Sequence, residues 1–158
     1  MAFELPDIVA AEKTLATTGR WAVRDPRGNS NWLTFVAPLE IDGVTIAGLR
    51  LRGTAIISLP DEAVCFQLEY HRPRQHGSAL ARIEWRPLKG HNNKGLGPKE
   101  YRFIETKGCH YHPFDLNWNE ASKQLRRATF QSQCQLSNRR RALSNYLNLL
   151  GKSLESTG

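Results

Sequence analysis

The chain has 158 residues, 40% of them hydrophobic and 23% charged, the balance of a single globular domain (residues 1–158) able to bury a core. No run approaches the roughly 18 apolar residues of a membrane helix, which argues against a membrane partner. The formal net charge is +7, and it is unevenly placed: residues 1–120 carry 15 basic and 14 acidic side chains, whereas residues 121–158 carry seven basic and one acidic. Concentrated basic charge attracts polyanions, nucleic acid first and an acidic protein second.

The amino terminus places Glu4, Asp7 and Glu12 early and has no basic leader. Neither a secretory signal nor a mitochondrial transit peptide is expected, and a cytoplasmic location is the default. Cys65, Cys109 and Cys134 are odd in number and form no C-x-x-C pair, which speaks against a disulfide scaffold or a thiolate zinc knuckle.

The first element reads as a helix. Pro6 and Asp7 suit its start, Ile8, Val9, Ala11 and Leu15 give a partial apolar stripe, and Gly19 is a plausible stop. A β-rich stretch follows. WLTFVAPLEI (32–41) and VTIAGLRLRGTAIISL (44–59) flank Asp42-Gly43, a strong two-residue hairpin signal because both residues accept positive φ. The apolar phase changes from even (Val44, Ile46) to odd (Leu49, Leu51, Ala55), which predicts a bulge near Gly48. Residues 64–71 and 79–86 alternate cleanly. Val64, Phe66, Leu68 and Tyr70, then Ala79, Ala81, Ile83 and Trp85, form one face. The other face would hold Glu69, His71, Arg82, Glu84 and Arg86, together with Arg50 and Arg52, and cross-strand Arg–Glu pairs are its ordinary use.

Residues 89–99 (KGHNNKGLGPK) read as a long loop, and 101–107 as a further strand ending at Gly108. The remainder reads as helix. Trp118, Ala121, Leu125 and Ala128 fall on one helical face, and Asn117 with Glu120 has the form of a capping box. A second helix would start after Ser137, with Leu143, Tyr146, Leu147 and Leu150 as its stripe. The expected fold is therefore α+β: an N-terminal helix, an antiparallel sheet of about five or six strands, with barrel-like closure as an option, and two C-terminal helices packed on it.

Two sets of residues carry candidate chemistry. Lys123, Arg126 and Arg127 would share a basic helical face. Arg139, Arg140 and Arg141 occupy a first helical turn, where positive charge opposes the helix dipole unless an anion compensates it. All six are candidate phosphate contacts. The second set centres on GCHYHPFDLNW (108–118). If 108–113 continue as a strand, His110 and His112 point to one face. Two imidazoles so placed, with Asp115, His91, His71 or Cys109 as a further ligand, could bind a divalent transition metal. One neutral and one protonated histidine amid cations could instead cleave RNA by acid–base chemistry. His71, His76 and His91 lie in a segment, Arg72–Lys99 and its margin, with seven basic residues and one acidic residue, Glu84.

The leading expectation is a domain that binds an RNA or DNA backbone, extended to a small histidine-dependent ribonuclease with His110, His112 and His91 as catalytic groups. The first alternative is a metal-binding β-rich enzyme or module using His110, His112 and Asp115 on a small molecule. The second is a non-catalytic adaptor whose basic face meets an acidic protein.

Overall fold

Backbone pairing along the chain gives one α-helix and nine strands among the described residues: α1 (Leu5–Ala10), β1 (Thr14–Leu15), β2 (Trp21–Val23), β3 (Trp32–Ile41), β4 (Val44–Ile56), β5 (Val64–Tyr70), β6 (Ser78–Trp85), β7 (His110–His112), β8 (Trp118–Asn119) and β9 (Gln124–Leu125). The computed structural model describes residues 4–25, 31–59, 61–71, 78–92, 99, 102–103, 105–122 and 124–125. Seven strands form one antiparallel sheet in the order β1-β3-β4-β5-β6-β7, with β2 beside β1 on the same edge of β3. β8 and β9 pair separately as a small hairpin.

The long central hairpin follows from local chemistry. Asp42 and Gly43 adopt φ of 52° and 74° between the Ile41–Val44 pair, the primed turn whose twist matches the flanking strands. The register between β3 and β4 then slips between Pro38 and Glu40, and the surplus residues lie around Gly48, whose φ is +83°. The glycine is required twice there. Its φ lies in the left-handed region, and a Cβ would sit 2.1 Å from the His71 carbonyl oxygen.

Strand alternation separates two faces. One carries Leu39, Leu49, Leu51, Leu68, Ala81 and Ile83, which form the core with Leu5 and Ile8 of α1 and Phe114. Burying each leucine or isoleucine among them contributes about 1.5–3 kcal/mol. A second register shift, between Leu68 and Glu69, leaves Leu80 as the extra residue of β6, and Leu80 is buried in the same core. The opposite face is polar in transverse rows. Arg52, Gln67, Arg82 and His112 make one row, and Thr54, Cys65, Glu84 and His110 the next.

The structure departs from the expected architecture, being mostly antiparallel sheet rather than an N-terminal helix and two C-terminal helices on a sheet. α1 ends after six residues because the chain turns extended at Ala11. Leu15, expected on the helical stripe, instead pairs with Leu39 in β1. The buried Lys13 closes the helix end by donating to Val9 O (2.9 Å) and Ala11 O (2.5 Å).

Where the first C-terminal helix was expected, Trp118 and Leu125 face each other across the β8–β9 hairpin. Residues seven apart share a helical face, but they are equally a cross-strand pair around a short turn. Asn119 tips the balance. Its Oδ1 accepts from the amides of Ala121 and Ser122, which closes that turn. The expected helix after Ser137 lies outside the described residues, as does Ala128 of the first helical stripe. Among the described residues no pairing joins β7 to β1 or β2, so they form no closed barrel. No helix among them is long and apolar enough to cross a membrane.

Candidate metal centre

The site begins with the pairing of β6 and β7, which sets Glu84 opposite His110 and Arg82 opposite His112. All four lie on the face opposite the core. His91 arrives from the segment after β6. The expected strand over 101–107 reduces, among its described residues, to a two-residue bridge. His91 N donates to Thr106 O (3.2 Å) and Thr106 N to His91 O (2.9 Å). That bridge sets the third imidazole beside the other two, with ring centroids 4.8 Å from His110 and 5.5 Å from His112, and the strand pair itself 5.0 Å apart. One nitrogen or oxygen from each of Glu84, His91, His110 and His112 falls within 4.8 Å of all the others.

Glu84 is the hub. Its carboxylate lies 3.5 Å from His110 Nε2, 3.6 Å from His91 Nε2 and 3.8 Å from His112 Nε2, and accepts from Arg82 Nη2 at 2.9 Å. His110 is 0% exposed. Its Nδ1 is 2.8 Å from Gly108 O. A carbonyl only accepts, so Nδ1 carries the proton, and in the neutral ring Nε2 presents a lone pair to the cluster. That buried Nε2 makes no hydrogen bond. A backbone carbonyl on one ring nitrogen with the other nitrogen directed at a shared centre is how proteins orient metal-binding histidines. Left unmatched, a buried polar atom costs about 1–3 kcal/mol.

Arg82 marks the same centre from another direction. Its Nη2 lies 2.9 Å from Glu84 and 3.0 Å from His112 Nε2. Guanidinium only donates, so His112 Nε2 accepts, and one positive group bridges the two atoms that a cation would otherwise join. Three imidazoles and one carboxylate are a donor set for zinc or another divalent first-row metal, and a poor one for magnesium or calcium, which take oxygen.

The chain matches no protein-family model, no curated protein and no solved structure among those compared with it. Function must therefore be argued from the site itself.

Of the residues singled out in the sequence, the structure brings His91, His110 and His112 together. Asp115 is exposed and stands apart from the cluster. Its negative charge instead adds to burial in pushing the Tyr111 hydroxyl up to about 12. His71 belongs to a different group, with Arg50 Nη2 at 2.8 Å and Glu69 at 3.4 Å. Glu69 also pairs with Arg50 at 2.7 Å and Arg52 at 3.3 Å, the ordinary use of a polar sheet face. Lys123, Arg126, Arg127, Arg139, Arg140, Arg141 and His76 lie outside the described residues.

By sequence alternation alone Glu84 is an ion-pair partner for arginine rather than a ligand. One signal pointed to it: it is the single carboxylate between Arg72 and Lys99, on the strand face that an H-x-H strand would adjoin.

A cleft opens beside the cluster. A cavity of about 400 Å³ is lined by Glu84 with Trp32, Val64, Cys65, Pro87 and Leu88 among others. A second, of about 270 Å³, is lined by Arg24, Arg52, Arg82, Gln67, Thr54, Cys65 and Trp32. Cys65 on the floor of both is no nucleophile, since burial pushes its thiol up to about 12 and keeps it protonated at neutral pH.

Proposed function

We propose that the protein is a metal-dependent enzyme acting on a small molecule, with one divalent transition-metal ion held by Glu84, His91, His110 and His112. The observation that carries this reading is His110: fully buried, fixed through Nδ1 to the Gly108 carbonyl, its Nε2 without a hydrogen bond and aimed at Glu84. A cavity sharing Glu84 as a wall favours a working centre over a purely structural one, because structural metal sites are closed on all sides and catalytic sites keep an accessible position. The metal would supply Lewis-acid polarisation of a bound oxygen. Metal entry requires Arg82 to leave His112 Nε2, and Glu84 remains available as its partner.

RNA cleavage by a histidine pair draws less support. His110 and His112 are buried at 0% and 1% exposure, beneath a surface on which a chain-length substrate would have to reach them, and a general base must come within hydrogen-bond reach of its proton.

Elemental analysis of the purified chain tests the proposal. The wild type should carry zinc, manganese, iron or cobalt in a one-to-one ratio, or be raised in melting temperature when one of these is added. His110→Ala and Glu84→Gln should lose it. His91→Ala, at a more exposed position, should lose it while keeping the fold. A wild-type chain that neither holds a metal nor is stabilised by any of the four would sink the proposal.

A further inference from the structure

We propose that the cleft beside the metal centre binds a small organic acid, its carboxylate held by Arg24, Arg52 and Arg82 and its apolar body laid against Trp32, Val64 and Leu88. This names the substrate class of the proposed enzyme and so rests on that reading for its catalytic meaning, although the cleft exists without the metal.

The two cavities are one surface. Trp32, Thr54 and Cys65 line both, and strand register puts Thr54, Cys65 and Glu84 in a single transverse row. Arg24 joins the same face because its amide continues the β2–β3 ladder by donating to Trp32 O at 2.8 Å. The metal ligand Glu84 belongs to the larger cavity, and Arg82, hydrogen-bonded to it at 2.9 Å, belongs to the smaller. The junction of the two, at Trp32, Thr54 and Cys65, therefore adjoins the proposed centre through the Cys65–Glu84 cross-strand pair.

The chemistry of the two halves differs. Three guanidinium groups and no carboxylate line the smaller cavity. Glu69 and Glu84 each pair with one of them, Arg52 at 3.3 Å and Arg82 at 2.9 Å, and the donors left over match a planar carboxylate by paired N–H groups. The three have donors to spare. Arg52 uses its Nε on Glu69 at 3.3 Å, Arg82 Nε is buried without a hydrogen bond, and Arg24 makes no ion pair among the described residues. The larger cavity is mainly hydrocarbon, and Leu88, 57% exposed, stands open beside it. A molecule that is anionic at one end and apolar at the other satisfies both halves. A bare anion satisfies one. Metal binding adds to the fit, since it frees the Arg82 donor now engaged by His112 Nε2 at 3.0 Å.

Calorimetric titration with monocarboxylates from acetate to octanoate, their matching alcohols and inorganic phosphate, on metal-free and zinc-treated protein, tests this. Affinity should rise along the acid series, and the longer acids should bind at least about tenfold more tightly than their alcohols and than phosphate, a fold-change typical of one charge-assisted contact. Arg52→Gln should weaken acid binding about tenfold with metal content unchanged. Equal binding of acid and alcohol, equal binding of octanoate and phosphate, or an Arg52→Gln variant that binds like wild type would each overturn the proposal. Acid selectivity in a chain that takes up no metal would uphold the cleft and defeat the metal reading. Metal uptake without acid selectivity would do the reverse.

Discussion

Glu84 shows how a residue's role depends on what pairing brings to it. In the sequence it alternates with apolar neighbours and reads as a partner for arginine, which it is, at 2.9 Å from Arg82. Only the β6–β7 register and the His91–Thr106 bridge add three imidazoles to the same carboxylate. His110 and His112 were legible as a same-face pair because period-2 alternation is local, whereas a bridge between residues 91 and 106 is not.

Lys13 is the converse case: nothing in its neighbourhood announced a buried lysine. It is 0% exposed, spans Val9 O and Ala11 O, and burial lowers its pKa from 10.5 to about 8. Above pH 10.5 the amine is neutral folded or unfolded. Between about 8 and 10.5 the unfolded chain holds a proton that the folded chain has released, so stability rises with pH across that window. Below it the fold carries the full cost of a desolvated charge. The stability of wild type minus that of Lys13→Met should accordingly climb, by roughly 1–3 kcal/mol, from pH 8 to 10.5 in denaturant titrations. A difference independent of pH would refute this account of Lys13.

Among the elements, those governed by short-range chemistry were the legible ones. The Asp42-Gly43 turn and the irregularity at Gly48 follow from backbone freedom and a phase change, and both are present. The two glycines differ in what a side chain would meet. A Cβ at Gly43 has nothing within 4 Å, while one at Gly48 would strike the His71 carbonyl. Gly43→Ala should cost about 1 kcal/mol, the strain of a left-handed alanine. Gly48→Ala should cost about 3 kcal/mol or more, since the backbone itself must shift. Chemical denaturation of the two variants measures the contrast, and equal losses would show that the close approach at Gly48 is unimportant.

The helix read from Trp118 onward shows where periodicity misleads. An apolar pair seven residues apart fits two helical turns and a tight hairpin alike, and the side chain of Asn119 selected the hairpin. Likewise α1 was legible at its start, where Pro6 and Asp7 act locally, but not at its end, which depends on the pairing of β1 with the distant β3.

At the scale of the molecule, one twisted sheet divides two kinds of work. One face holds the aliphatic core and α1. The other carries rows of arginine, glutamate and histidine that are partly ordinary ion pairs, around Glu69, and partly a convergence on Glu84. The predominance of basic residues in 121–158 is a separate property, and any polyanion binding it supports need not involve the sheet. The central claim is that Glu84 and three histidines share one metal ion. X-ray absorption at the zinc edge of the zinc-treated protein tests it most directly. The account predicts a first shell of imidazole nitrogen and carboxylate oxygen at about 2.0–2.2 Å, with multiple-scattering features from imidazole that diminish in His91→Ala. A sulfur shell near about 2.3 Å, an oxygen-only shell, or a spectrum unchanged in that variant would contradict it.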